Sequence, residues 1–220
     1  MKKSIVRLIV TLLMFGVYSL FAQTLVFLPG MVAAKNTDTT VPTAIVFIIV
    51  FGGLIYLLYS IAANWRRHDG ELSPTNLTTN RVRLFLLMIV ALIAIQFIGG
   101  LMTSTGITQE ATNQKALLEL SKQFPVALAL IAVVGAPPVE EFIFRALLMN
   151  SFPDTSRTWR IVRVAVSAIV FGLVHAPTEP LNFLIYAGMG LVFAYTFERT
   201  GDIRYSIGLH FLNNFFALFI

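Results

Sequence analysis

About two thirds of the chain lies in seven long apolar windows, at 5–28, 42–63, 82–102, 124–149, 161–175, 181–197 and 203–220. A hydrocarbon core about 30 Å thick is crossed by a helix of roughly 20 apolar residues. With 57% hydrophobic and only 12% charged residues, the 220-residue chain carries more apolar surface than one water-soluble core could bury. The expected fold is therefore all-α, a polytopic transmembrane helix bundle of about seven spans. Cysteine is absent, which removes disulfides, thiolate nucleophiles and thiolate metal sites. Chemistry is left to oxygen and imidazole.

The net charge of +5 does not point to nucleic acid, because the basic residues sit in short clusters between apolar windows. Topology explains them. Lys2, Lys3, Arg7, Arg66, Arg67, Arg81, Arg83, Arg157, Arg160, Arg163, Arg199 and Arg204 fall on one side of a seven-span arrangement, against Lys35, Lys115 and Lys122 on the other. By the positive-inside rule the N-terminus is inside and the C-terminus outside. The first window follows Met1-Lys-Lys, but its apolar run is too long for a secretory signal and lacks a small-x-small cleavage site, so a retained span is expected. The polar segment 103–123 is read either as a short interfacial helix around Ala116-Leu-Leu118 or as a solvated loop. No internal repeat and no separate soluble domain is evident. The chain divides into N-terminal membrane helices with a polar connection, 1–123, and a C-terminal bundle, 124–220, that carries all the motifs below.

An ionisable side chain at mid-bilayer costs about 2.5–3.5 kcal/mol on insertion scales, so those that remain face the protein interior with a partner. Few remain. The stretch Gly135-Ala-Pro-Pro-Val-Glu-Glu-Phe-Ile-Phe-Arg-Ala-Leu-Leu-Met149 holds Glu140, Glu141 and Arg145; His175 closes the fifth window; His210, Asn213 and Asn214 lie in the seventh. Pro138 suits the first turn of a resumed helix. Glu141 and Arg145 stand four apart with the acid first, the favourable order for an ion pair, and are expected to neutralise each other as a structural pair. Glu140 diverges from Glu141 by about 100° around a helix and cannot easily share that arginine. It is either a protonated core carboxyl or a reactive one. A lone His175 at a helix end would be an interfacial cap. His210 and Asn214, four apart on one face, would singly be interhelical glue. Together these residues make a set able to activate water and stabilise an oxyanion.

Three elements in this order, Glu140-Glu141-Phe-Ile-Phe-Arg145, Phe171-Gly-Leu-Val-His175 and His210-Phe-Leu-Asn-Asn214, resemble the CPBP intramembrane proteases. That family comprises the type II CAAX prenyl endopeptidases and the bacterial Abi or bacteriocin-immunity proteins. The likeness covers roughly the last 100 residues and departs at Ala146, where many bacterial members have glycine. It implies an endopeptidase in a bacterial cytoplasmic membrane, with the lipid bilayer and a peptide or protein substrate as partners. Glu140 and His175 would activate a water; His210 and Asn214 would stabilise the tetrahedral oxyanion. No cofactor is required on that reading. Glu140, His175 and His210 could instead ligate a divalent metal such as zinc, although this would occupy the most obvious general base. His68, in Trp65-Arg-Arg-His-Asp69, is expected in a basic loop. Two other functions compete. One is a non-catalytic immunity or regulatory membrane protein; the other is a proton-coupled transporter, which the lack of an inverted repeat disfavours.

Overall fold

The computed structural model describes residues 2–33, 40–69, 79–123 and 125–219. The described residues are almost entirely helical. The helices are α1 (Lys2–Ala33), α2 (Thr40–Asp69), α3 (Thr79–Ser104), α4 (Thr112–Gln123), an interrupted helix α5 (125–151), α6 (Arg157–His175), α7 (Pro180–Thr200) and α8 (Ile203–Phe219). All but α4 coincide with the apolar windows. Five helices are long and apolar enough to cross a membrane, within α1, α2, α3, α6 and α7. The other two windows form α5 and the 17-residue α8. The chain is an integral membrane protein, and a count of about seven spans fits it.

Side-chain exposure agrees with a lipid surround. Ile49, Leu87 and Phe97 are 67%, 62% and 70% exposed, a cost in water that acyl chains remove. Segment 103–123 contains helix α4, whose Leu117, Leu118 and Leu120 are half-buried, so of the two expectations it is the helix that forms. The loop expected around His68 is instead the last turn of α2. Without a proline or glycine in Trp65-Arg-Arg-His-Asp69, nothing local stops that helix.

Helix α5 is built irregularly, and its proline pair gives the reason. α-Helical segments Pro125–Leu128 and Ala136–Glu141 alternate with π-helical segments Ala129–Gly135 and Phe142–Leu148, ending in a 3₁₀ turn, Met149–Ser151. Pro137 and Pro138 have no N–H to give the preceding turn. The Ala136 N–H reaches back five residues to the Ile131 carbonyl, so the ladder is already out of α register where the prolines arrive. From Ala136 through Met149 every residue except Pro138 is buried, which makes α5 the central element of the bundle.

The neighbours close around it through small residues. Helices α6 and α7 cross at Gly172 and Gly190. A Cβ on Gly172 would lie 2.9 Å from Ala187 Cβ and 3.0 Å from the Ala187 amide nitrogen. One on Gly190 would lie 3.1 Å from the Ala168 carbonyl oxygen. Such contacts let backbones approach without a hydrophobic driving force between helices. At the basic end of the bundle, Arg7 of α1 donates to the Asn150 and Trp65 carbonyls at 3.0 and 3.4 Å, tying α1 to the ends of α5 and α2. Arg163 of α6 pairs with Glu198 of α7 at 2.7 Å.

Gly172→Ala is expected to destabilise the protein by about 1–3 kcal/mol, because the added methyl meets backbone that cannot move aside. Thermal unfolding in detergent checks this, with Gly100→Ala as control, since a Cβ at Gly100 meets nothing within 4 Å.

Candidate active site

The two adjacent glutamates turn to different partners. Glu141 takes Arg145 Nε at 3.0 Å and Nη2 at 3.2 Å, one turn along α5. Both side chains are fully buried. Arg145 also donates to Ser167 Oγ of α6 at 2.7 Å, and Ser167 in turn donates to the Phe144 carbonyl at 2.9 Å. Its guanidinium lies 5.1–5.7 Å from the ring centroids of Phe144, Phe171 and Phe193, within cation–π range.

Glu141 Oε1 is also 3.0 Å from His210 Nδ1 of α8. A carboxylate engaged twice by arginine is ionised and accepts here, so Nδ1 carries the proton. His175 Nδ1 is 2.8 Å from the Phe171 carbonyl; a carbonyl only accepts, so this nitrogen carries the proton too. The His175 ring is stacked between Phe171 and Tyr186, with centroids 4.2 and 5.0 Å away, and His210 stacks on Phe193 at 4.8 Å. Both imidazoles are thus fixed in orientation and tautomer, with Nε2 turned towards Glu140.

Glu140 Oε2 lies 3.7 Å from His175 Nε2 and 3.7 Å from His210 Nε2. It is buried and has no hydrogen-bond partner among the described residues. Three polar atoms converge there without a direct hydrogen bond between them, a position that a bound donor or cation could fill. The Glu140 and His175 side chains keep 12% and 15% exposure, so the cluster is not sealed. The other carboxylate oxygen, Oε1, accepts from the Tyr18 hydroxyl of α1 at 2.8 Å.

Asn214, the fourth expected site residue, is engaged elsewhere. Its Nδ2 donates to the Ala132 carbonyl at 2.8 Å, and its Oδ1 accepts from Asn213 at 3.2 Å. Asn213 Oδ1 accepts from Gln96 of α3 at 3.0 Å. The reason lies in the proline pair. The Ala136 N–H goes to Ile131 and Pro137 has none, so the Ala132 carbonyl lacks a ladder donor and Asn214 supplies it. One Nδ2 hydrogen remains for other use.

Sequence reasoning brought Glu140, His175 and His210 together but missed Tyr18. The available signal was that Arg7, Thr11 and Tyr18, spaced by four and seven, share one face of α1, where Arg7 and Thr11 are buried. It also missed Glu179, four residues after His175, whose carboxylate accepts from the Thr112 hydroxyl, from the Thr112 amide at 3.1 Å and from Asn182 at 2.9 Å. These bonds, the Thr112 hydroxyl first, hold the Glu179 carboxyl below its ordinary range.

Fold and site together define a polytopic helical membrane protein with a carboxylate and two imidazoles gathered inside it. Comparison with known sequences relates the C-terminal part of the chain to a described family. Residues 122–216 match the family described as Type II CAAX prenyl endopeptidase Rce1-like, the region that carries all three motifs. YdiL of Bacillus subtilis, named as a suspected membrane peptidase, is 32% identical over 113 residues, 51% of this chain and 44% of YdiL. The membrane-embedded CAAX protease MroQ of Staphylococcus aureus is 26% identical over 136 residues, 60% of this chain and 51% of MroQ. The UPF0177 protein YvdC of Lactococcus lactis is 26% identical over 195 residues, 86% of this chain and 69% of YvdC. The chain thus spans about half the length of the first two relatives. No solved structure matches it.

Two outcomes follow. Asn214→Ala leaves the Ala132 carbonyl without a donor and should cost about 1–3 kcal/mol of stability, read from thermal unfolding. The Glu179 contact should be pH-dependent. Its folded carboxyl is depressed, so its stabilising contribution is present above the ordinary range near about pH 4.3 and is lost as pH falls through the lower folded value. Hydrogen exchange at the Thr112 amide should accelerate there, and Glu179→Gln should abolish that dependence.

Proposed function

We propose that this protein is an endopeptidase that hydrolyses a peptide bond at or within the membrane. The observation that supports it best is the partnerless Glu140 Oε2 facing two imidazole Nε2 atoms. A water in that triangle donates one O–H to Glu140 and the other to an Nε2, leaving its lone pair for attack. Glu140 takes a proton as the water oxygen bonds to the carbonyl carbon; the carbonyl oxygen becomes an oxyanion. Returning that proton to the leaving amide nitrogen breaks the C–N bond and regenerates the carboxylate. His210 stabilises the oxyanion through Nε2–H only when doubly protonated, and the ionised Glu141 on Nδ1 is the counter-charge for that imidazolium. The Nδ2 hydrogen of Asn214 that is not on the Ala132 carbonyl would be the second donor.

The same three atoms would hold a zinc ion, which would act as a Lewis acid and acidify its water. The donor types fit, and both Nδ1–H groups are held as in such centres. The 3.7 Å separations exceed the roughly 3.4 Å between ligands of a tetrahedral ion with bonds of about 2.1 Å. No group of three or more His, Asp or Glu among the described residues has coordinating geometry. Every step above uses the chain's own residues and a water.

The substrate class is a membrane-associated peptide, prenylated or leader-type; MroQ, a CAAX protease by name, makes the prenylated class the first to assay. Purified protein in detergent should cleave a quenched fluorescent peptide ending in a prenylated C-a-a-X sequence, or the unprenylated control. Glu140→Ala should reduce the rate by about 10²–10⁴-fold while leaving insertion and thermal stability intact. Chelation should leave the rate unchanged; loss restored by zinc would assign an ion to the site. Unchanged cleavage by Glu140→Ala would refute the mechanism. Protection of cells from a bacteriocin-like peptide that survives Glu140→Ala with His175→Ala would favour the non-catalytic immunity role.

A further inference from the structure

Tyr18 belongs to α1, more than 100 residues before Glu140 in the chain and outside the region 122–216 that matches the protease family. Its hydroxyl nonetheless reaches Glu140 Oε1 at 2.8 Å. The contact is built. Phe15, one turn earlier, packs on Phe144 of α5 with ring centroids 6.0 Å apart, and the buried Arg7 anchors the basic end of α1 to Asn150 and Trp65. Helix α1 is therefore held from Arg7 to Tyr18 in the register that delivers the hydroxyl.

The terminal torsion of a glutamate is broad, so a carboxylate with both oxygens unengaged is free to turn its plane away from the reacting water. Tyr18 removes that freedom. With Oε1 engaged, Oε2 is the oxygen left to face His175 and His210. We infer that Tyr18 is a positioning residue for the hydrolysis, holding the Glu140 carboxylate so that Oε2 alone meets the water.

The inference rests on the proposed peptidase reading, and the test separates the two. Steady-state kinetics with the fluorescent prenylated peptide are measured for the unaltered protein, Tyr18→Phe, Glu140→Ala, the double variant, and Tyr56→Phe, a control at a site 73% exposed on α2. Tyr18→Phe should lower kcat by about tenfold or more, the effect of one hydrogen bond to a charged group, with KM and melting temperature unchanged. Because Tyr18 acts through Glu140, the double variant should be no slower than Glu140→Ala alone. An unaffected kcat for Tyr18→Phe, or a further loss in the double variant, overturns the proposal. A second measurement does not need turnover. With 3-fluorotyrosine at residue 18, the ¹⁹F resonance should move on Glu140→Ala; an unmoved resonance also overturns it. If the unaltered protein cleaves nothing while the resonance responds, the hydrolytic reading fails and the contact between Tyr18 and Glu140 stands.

Discussion

The buried pair of Glu141 and Arg145 is the constraint on which the rest of the bundle depends. Two charges in an interior shielded from water are tolerable only when every donor and acceptor is met, and removing one partner of such a pair costs about 3–5 kcal/mol. Here each partner also bonds to a different helix. Arg145 reaches Ser167 on α6, and Glu141 reaches His210 on α8. A slip of either helix by one turn would strand a charge in a medium that cannot hydrate it. The pair thus sets the register of α6 and α8 against α5, a job that apolar packing between lipid-facing helices does poorly because lipid tails are as apolar as leucine.

A second constraint comes from backbone groups. The two prolines deprive α5 of donors, and in lipid a carbonyl without a partner cannot turn to water. Asn214 meets one such need at Ala132, and the chain from Gln96 through Asn213 fixes which end of the Asn214 amide faces the carbonyl. The irregular helix therefore recruits α8 through Asn214 as well as through His210, and those two residues sit four apart on it. One face of α8 serves both defects of α5, its buried charge and its broken ladder.

Much of this was legible in the sequence because its signals are local. Apolar windows set by bilayer thickness located the helices, and the spacing of Glu141 and Arg145 is that of neighbours on a helix surface. What escaped depended on distant parts of the chain meeting. Tyr18 carries no charge to draw notice in an apolar window, and its partner lies on another helix. The π segments of α5 arise from how the ladder runs past Pro137, which composition does not reveal. The link from Asn214 to Ala132 follows from that irregularity and was invisible for the same reason. His68 was misplaced in a loop because a basic cluster looks solvated, whereas a helix can run on beyond the lipid without a stop signal.

The adjacency of Glu140 and Glu141 now has a physical account. Neighbours on a helix point about 100° apart, so one carboxylate can be spent on structure while the other faces a different environment at the same depth. Glu141 is neutralised by arginine and, through Nδ1 of His210, fixes the tautomer of the imidazole that Glu140 faces through Nε2. The structural glutamate thereby orients the ring that the other one faces. The contacts that hold the helices in register thus also fix the imidazole beside the one oxygen of Glu140 that has no hydrogen-bond partner among the described residues.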